Sequence, residues 1–351
     1  MIQHHKHATT RIYVGLLTAL LTGGALLGCS TKSVDVAPPT IETARPAVSP
    51  PTSVAPAGTV RPLTGRPLAA AVAPGARALL VLTAGTDQAP SVLTVLPTGG
   101  GPTRTVVLPG PATALVSDGG TTAYLASRGS YLTVDVEAGT AARVDVSGQP
   151  DTEFTAIARR ADGRLVLGSA DGAVYILAAP SHHASAVEHR TEIFARVDSL
   201  VTQGNTTVVL DRGQTSVTSV AADGSAQQAL RAGEGATSMA VDPVGRVLVT
   251  DTRGDELLVY GVDPLILRQR YPVSEAPYGV VGSPELAWVS QTADNVVVGY
   301  DLSTGIPVEK VRYPTVQQPD ILAFDDEAGT LYAVSGSGAG VQAISDAGAR
   351  R

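Results

Sequence analysis

Beyond Cys29 the chain has no cysteine, so no intrachain disulfide can staple it, and iron–sulfur ligation of the usual kind is excluded. Charge is scarce as well. Only 16% of the 351 residues are Asp, Glu, Lys or Arg, the formal net charge is −7, and the isoelectric point is near 5.4. That balance argues against a broad polyanion-binding surface and against a nucleic-acid partner. After the first thirty residues no segment approaches about 18 uninterrupted apolar residues, so a spanning helix is not expected there. Phosphate-cradling G-x-x-x-x-G-K-[ST] and dinucleotide G-x-G-x-x-G patterns are missing. So is a nucleophile elbow: Gly336-Ser337-Gly338 reads as a turn at a strand end, with no histidine on its rim. No cofactor is expected.

What is plentiful is turn and strand chemistry. Gly (37) and Pro (24) are frequent, and Val, Leu, Ala and Thr fill short apolar runs, a mix that suits many short strands instead of helices. The first 28 residues read as a secretion signal, with Lys6 and Arg11 ahead of an apolar run from Tyr13 to Leu27. The run ends in Leu26-Leu27-Gly28-Cys29, which resembles the bacterial lipobox. That resemblance implies that Cys29 carries the lipid and that the mature chain sits on the extracytoplasmic face of the cell membrane, anchored by acyl chains. Residues 29–57 are expected to be a lipidated cysteine followed by a Pro-rich, disordered tether, in which Pro-Pro pairs at 38–39 and 50–51 favour extended polyproline conformations.

From residue 58 onward the chain repeats. Starts at Ala70, Thr113, Thr155, Asp198, Thr237, Tyr278 and Asp320 are spaced by 43, 42, 43, 39, 41 and 42 residues. Each start is followed by a turn, a second strand such as RVLVTD, a third such as LLVYGV and, in six copies, a polar fourth such as KVRYP. Four strands per period of about 42 is the signature of a β-propeller. The expectation is therefore an all-β, seven-bladed β-propeller with four-stranded antiparallel blades over residues 58–351. The seventh copy stops after three strands, while residues 58–66, GTVRPLTGR, resemble a spare fourth strand. That N-terminal strand is expected to complete the last blade and close the ring.

In DPVGRVLVTDTRGDELLVYGVD and SPELAWVSQTADNVVVGYDLSTG the strand–turn–strand rhythm resembles the YncE/YVTN and NHL group of propellers, a resemblance that implies fold and not chemistry. Signatures of WD40 repeats are missing, and a single tryptophan, Trp288, does not match the Trp-rich repeats of quinoprotein propellers. With lipobox and Ala/Val/Pro-rich tether added, the chain resembles actinobacterial, and in particular mycobacterial, lipoproteins such as the LppL-type group.

In a propeller the entry to the inner strand and the turn between second and third strands share one rim. The repeat nominates Arg128, Arg212 and Arg253 at similar positions in three blades, with Asp198, Asp320 and Tyr278 at inner-strand entries. Together they would form a mixed-charge funnel suited to an envelope protein's acidic loop or to a small ligand bearing carboxylate or phosphate. His182, His183 and His189, in PSHHASAVEHR, are the histidines that could gather a metal, but exposed loop histidines are the simpler account and no metal is expected. The resulting expectation is a lipid-anchored binding or scaffold module at the cell envelope. The alternative is a hydrolytic enzyme of lactonase or lyase type, with carboxylates converging in the channel.

Overall fold

The computed structural model describes residues 38–85, 89–178 and 184–348. Among them there is no helix, and the strands form seven antiparallel sheets. Each sheet is a blade whose inner strand begins one repeat: Pro67–Ala73, Ala114–Ser117, Phe154–Arg159, Ser199–Gln203, Ala236–Val241, Pro277–Gly282 and Pro319–Asp325. The seven-bladed β-propeller expected from the repeat period is the fold observed.

Alternation along the strands builds the ring. In the second strand of blade 1, Ala78–Thr83, Leu80 and Leu82 pack toward blade 2 with Leu125 and Leu132. Leu79 and Val81, pointing the other way, pack on Tyr332 and Val334 of blade 7. Successive side chains point to opposite faces of a sheet, and here a neighbouring blade covers each face. That is why the middle strands read as continuous apolar runs. Seven apolar clusters result, one at each blade interface. At the interface of blades 6 and 7 the indole of Trp288 is fully buried. It stacks on Tyr313 at 6.0 Å and Phe324 at 6.3 Å between ring centroids, and its Nε1–H donates to Ser283 Oγ at 3.1 Å.

The ring closes as the truncated seventh repeat requires. Thr59–Arg61 pairs antiparallel with Val341–Ile344, Val60 lying opposite Gln342. Closure removes the two exposed faces that an open array of blades would leave.

Two features depart from the sequence reading. Blade 2 carries a fifth strand: Ala184–Ser185, from the long connection within blade 3, pairs parallel to Thr140–Val146. The second departure is larger. Residues 38–57, read from sequence as part of the tether, lie along the ring as an extended strap and are hydrogen-bonded to blades 4 to 7. The physical reason is the lack of any demand for secondary structure. A proline-rich chain that makes no ladder can still place its carbonyls against side-chain donors.

Candidate binding rim

Two recurrent local devices shape the rim where the inner strands begin. The first is a buried polar peg ending the second strand of every blade: Thr83, Ser127, Ser169, Asp211, Asp251, Gln291 and Ser335. In four blades, at Ser127, Asp211, Asp251 and Ser335, the peg bonds the segment entering the blade. Ser127 Oγ donates to the Pro111 carbonyl at 2.7 Å and Ser335 Oγ to that of Gln317 at 2.6 Å. Where the peg is an aspartate it does more. Asp251 accepts the N–H groups of Glu234 (2.7 Å), Gly235 (2.7 Å) and Gly254 (3.0 Å). A Cβ at Gly254 would come within 2.1 Å of Asp251 Oδ2, so only glycine fits there.

The charged loop DTRGDE is thereby accounted for. Asp251 is a peg, Asp255 turns the chain with φ 52°, and Glu256 pairs with Arg270 at 2.6 Å. Arg253 donates to the carbonyls of Glu234 (3.0 Å) and Glu42 (2.8 Å).

The second device is a β-bulge. In five blades the pairing of inner and second strands slips within the first few inner-strand residues, as between Pro277 and Val280 and between Pro319 and Ile321. A bulge leaves a residue outside the ladder and re-aims its side chain. Tyr278 and Asp320 occupy these slips. The Tyr278 bulge is held in turn by Thr250 Oγ1, which donates to the Tyr278 carbonyl at 2.6 Å, and by Ser290 Oγ, which accepts Gly279 N–H at 2.8 Å.

Four of the six nominated residues meet at the channel mouth. Asp198 Oδ2 accepts the Arg212 backbone N–H at 2.8 Å, and its Oδ1 pairs with Arg196 at 3.2 Å. The Arg212 guanidinium donates to the Ala44 carbonyl of the strap and lies beside the Tyr278 hydroxyl. Its Nε is buried with no hydrogen-bond partner. Burial raises the Tyr278 phenol above its ordinary value, against the pull of Arg212 and Arg66. Burial likewise raises Asp320, opposed by a 2.8 Å hydrogen bond from Gln318 Nε2 and by Arg66. Asp198 too is raised chiefly by burial, with the Arg212 N–H and guanidinium acting the other way.

Arg128 and Arg253 stand apart from this cluster. Arg128 is exposed on blade 2, and only its carbonyl is engaged, accepting from Arg143 at 3.0 Å. Three arginines at similar repeat positions therefore do not form one funnel: Arg128 and Arg212 directly follow the peg of their blade, Arg253 stands one residue further on, and only Arg212 finds an acid, a phenol and the strap.

Arg66 and Gln318 belong to the mouth although the repeat did not single them out. Arg66 directly precedes the first inner strand, an entry position like that of Asp198, and this was the available signal. Gln318 has φ 57°, a left-handed conformation uncommon for a non-glycine residue. No sequence pattern announces it.

His189 lies on Val187–Glu192 beside Gly224, and His182 and His183 fall outside the described residues, as does Cys29. Among the described residues no group of three or more His, Cys, Asp or Glu side chains is placed to hold a metal ion.

No protein-family model matches the chain, and no curated protein matches it. Solved structures do. A streptogramin B lyase aligns over 82% of this chain and 96% of its own, with TM-score 0.65 and 10% identity. The U3-55K structure aligns over 83% and 100%, with TM-score 0.68 and 11% identity. A chain of a mitotic checkpoint complex aligns over 88% and 98%, with TM-score 0.65 and 12% identity. At such identities the likeness is one of fold: a β-propeller that serves a lyase in one case and a chain of a protein complex in another.

Proposed function

We propose that the protein is a YncE/NHL-like, lipid-anchored binding module of the cell envelope that holds a small carboxylate- or phosphate-bearing ligand at its channel mouth. One observation carries the reading: Arg212 and Arg66, from blades 4 and 1, converge on the bulged Tyr278, and the Arg212 Nε is left without a partner. A planar guanidinium with spare donors beside a phenol suits an oxyanion. The two carboxylates are engaged separately, Asp198 by Arg196 and Arg212 and Asp320 by Gln318, an arrangement suited to orienting the cations.

Titration calorimetry of the mature chain with inorganic phosphate and with small dicarboxylates tests this. Arg212→Ala should weaken binding at least about tenfold, roughly 1.4 kcal/mol, whereas Arg128→Ala should leave it unchanged. The reading fails if neither class binds saturably, or if the two variants behave alike. Anchoring is tested separately. Cys29→Ala should abolish incorporation of a clickable fatty acid and release the protein from membranes.

A second reading, acid–base chemistry of the lyase kind, draws on Asp320 and Tyr278, both shifted by burial toward their protonated forms. Turnover abolished by Asp320→Asn in a lyase or lactone-hydrolysis screen would favour it.

A further inference from the structure

The strap is bound in an unusual way: the rim reads its main chain. Side-chain donors reach successive carbonyls, Arg253 to Glu42 (2.8 Å), Arg212 to Ala44, Gln318 to Ala47 (2.9 Å), Gln317 to Ser49 (3.0 Å) and Asn295 to Pro50 (2.7 Å). Backbone donors of the strap are met as well. Ile41 N–H reaches the Gly213 carbonyl (2.8 Å), Ala47 N–H the Thr292 Oγ1 (3.1 Å) and Ser49 N–H the Gln318 Oε1 (3.0 Å). Of the side chains between 41 and 50, only those of Ala44 and Ser49 are buried. Ala44 Cβ is buried against Gly235, where an added Cβ would come within 3.0 Å of it. Val48 is 92% exposed, and Glu42 and Arg45 are exposed.

A site with these properties selects a conformation and two small residues, not an individual sequence. Proline favours the extended conformation and lowers the entropy cost of ordering the bound chain. We propose that the rim of blades 4 to 7 is a groove for an extended, proline-containing polypeptide with small residues five positions apart, and that residues 38–50 are its resident occupant, exchangeable for a strand of that kind from another protein. While covalently attached, the strap competes at an effective concentration on the order of millimolar, so it gates the groove. Gln318 ties groove to mouth, since its one amide serves Ser49, Ala47 and Asp320. The inference does not depend on which ion the mouth binds.

The test keeps the whole chain. A protease site is placed in the exposed stretch 52–54 and cut after folding, which leaves the closing strand Thr59–Arg61 and every blade covalently intact. The N-terminal piece should remain bound with micromolar affinity and exchange with a fluorescent peptide of residues 38–52. Arg253→Ala, which stands apart from the mouth, and Asn295→Asp, which keeps an Oδ1 to accept the Gln318 N–H (3.0 Å) but loses the donor to Pro50, should each weaken that peptide by at least about tenfold. Replacing Ala44 of the peptide with Leu should abolish binding. Loss of the piece on cutting, with no saturable peptide binding, would overturn the proposal, as would a bound piece that no peptide displaces. Hydrogen exchange on the uncut chain adds an independent check: the amides of Ile41, Ala47 and Ser49 should be protected, and free exchange there would equally overturn it. Phosphate titration of the cut protein, with and without the peptide, reports on the mouth, which shares Arg212 with the strap.

Discussion

Asp251 and Asp320 are both rim carboxylates, yet their surroundings give them opposite roles. Asp251 is fully buried and accepts three backbone N–H groups, so it holds the turn and the entering segment together. Asp251→Ala would leave those donors unpaired, at roughly 1–3 kcal/mol for each buried group not reached by water. A large fall in the thermal midpoint is expected, and Arg253→Ala, at an exposed side chain, should cost far less. Asp320 has been raised by burial. A carboxyl with a raised folded-state value contributes stability below its unfolded value, and that contribution is lost as pH rises through the folded value. Asp320→Asn lacks this titration. Its midpoint relative to the parent should therefore rise from acid pH to neutrality, measured by calorimetric unfolding between about pH 3.5 and 7.

At the scale of strands, the close approach of blades leaves little freedom. Gly168, on the second strand of blade 3, would place a Cβ 2.1 Å from Val197 Cγ1. Gly168→Ala should destabilise by about 1–3 kcal/mol through overpacking, visible as a lowered urea midpoint. Much of this level was legible in the sequence. The alternation of Leu79, Leu80, Val81 and Leu82 and the punctuation by DPVG-like turns place the strands. The bulges at Tyr278 and Asp320 were not legible, because a one-residue slip depends on how two strands pair and leaves no compositional trace. The seat of the strap left no trace for a related reason: its bonds use main-chain carbonyls and N–H groups, which do not depend on side-chain identity.

For the whole molecule, closure joins the first strand of the chain to the last. Replacing Thr59, Val60 and Arg61 together by glycine weakens that pairing and removes the Arg61 side-chain bonds to Gly101 and Thr103 of blade 1, both 2.8 Å. Trp288 is the only tryptophan and lies between blades 6 and 7, next to the closure. Its fluorescence and the far-ultraviolet circular dichroism should unfold together in the parent. In the glycine variant the Trp288 transition should come first, and coincident curves would show that closure does not limit cooperativity. A period near 42 residues, two-residue alternation and a missing fourth strand are enough to dictate a closed seven-bladed ring. Each is a local pattern, and burial of both faces of every blade has only this solution. Which rim residues meet was decided by the tertiary structure alone. Arg128, Arg212 and Arg253 occupy similar places in their repeats, within two residues of the end of the second strand, and repeats specify backbone. The acid, phenol and strap that make Arg212 different come from blades 4 and 6 and from residue 44, brought together only when the ring closes.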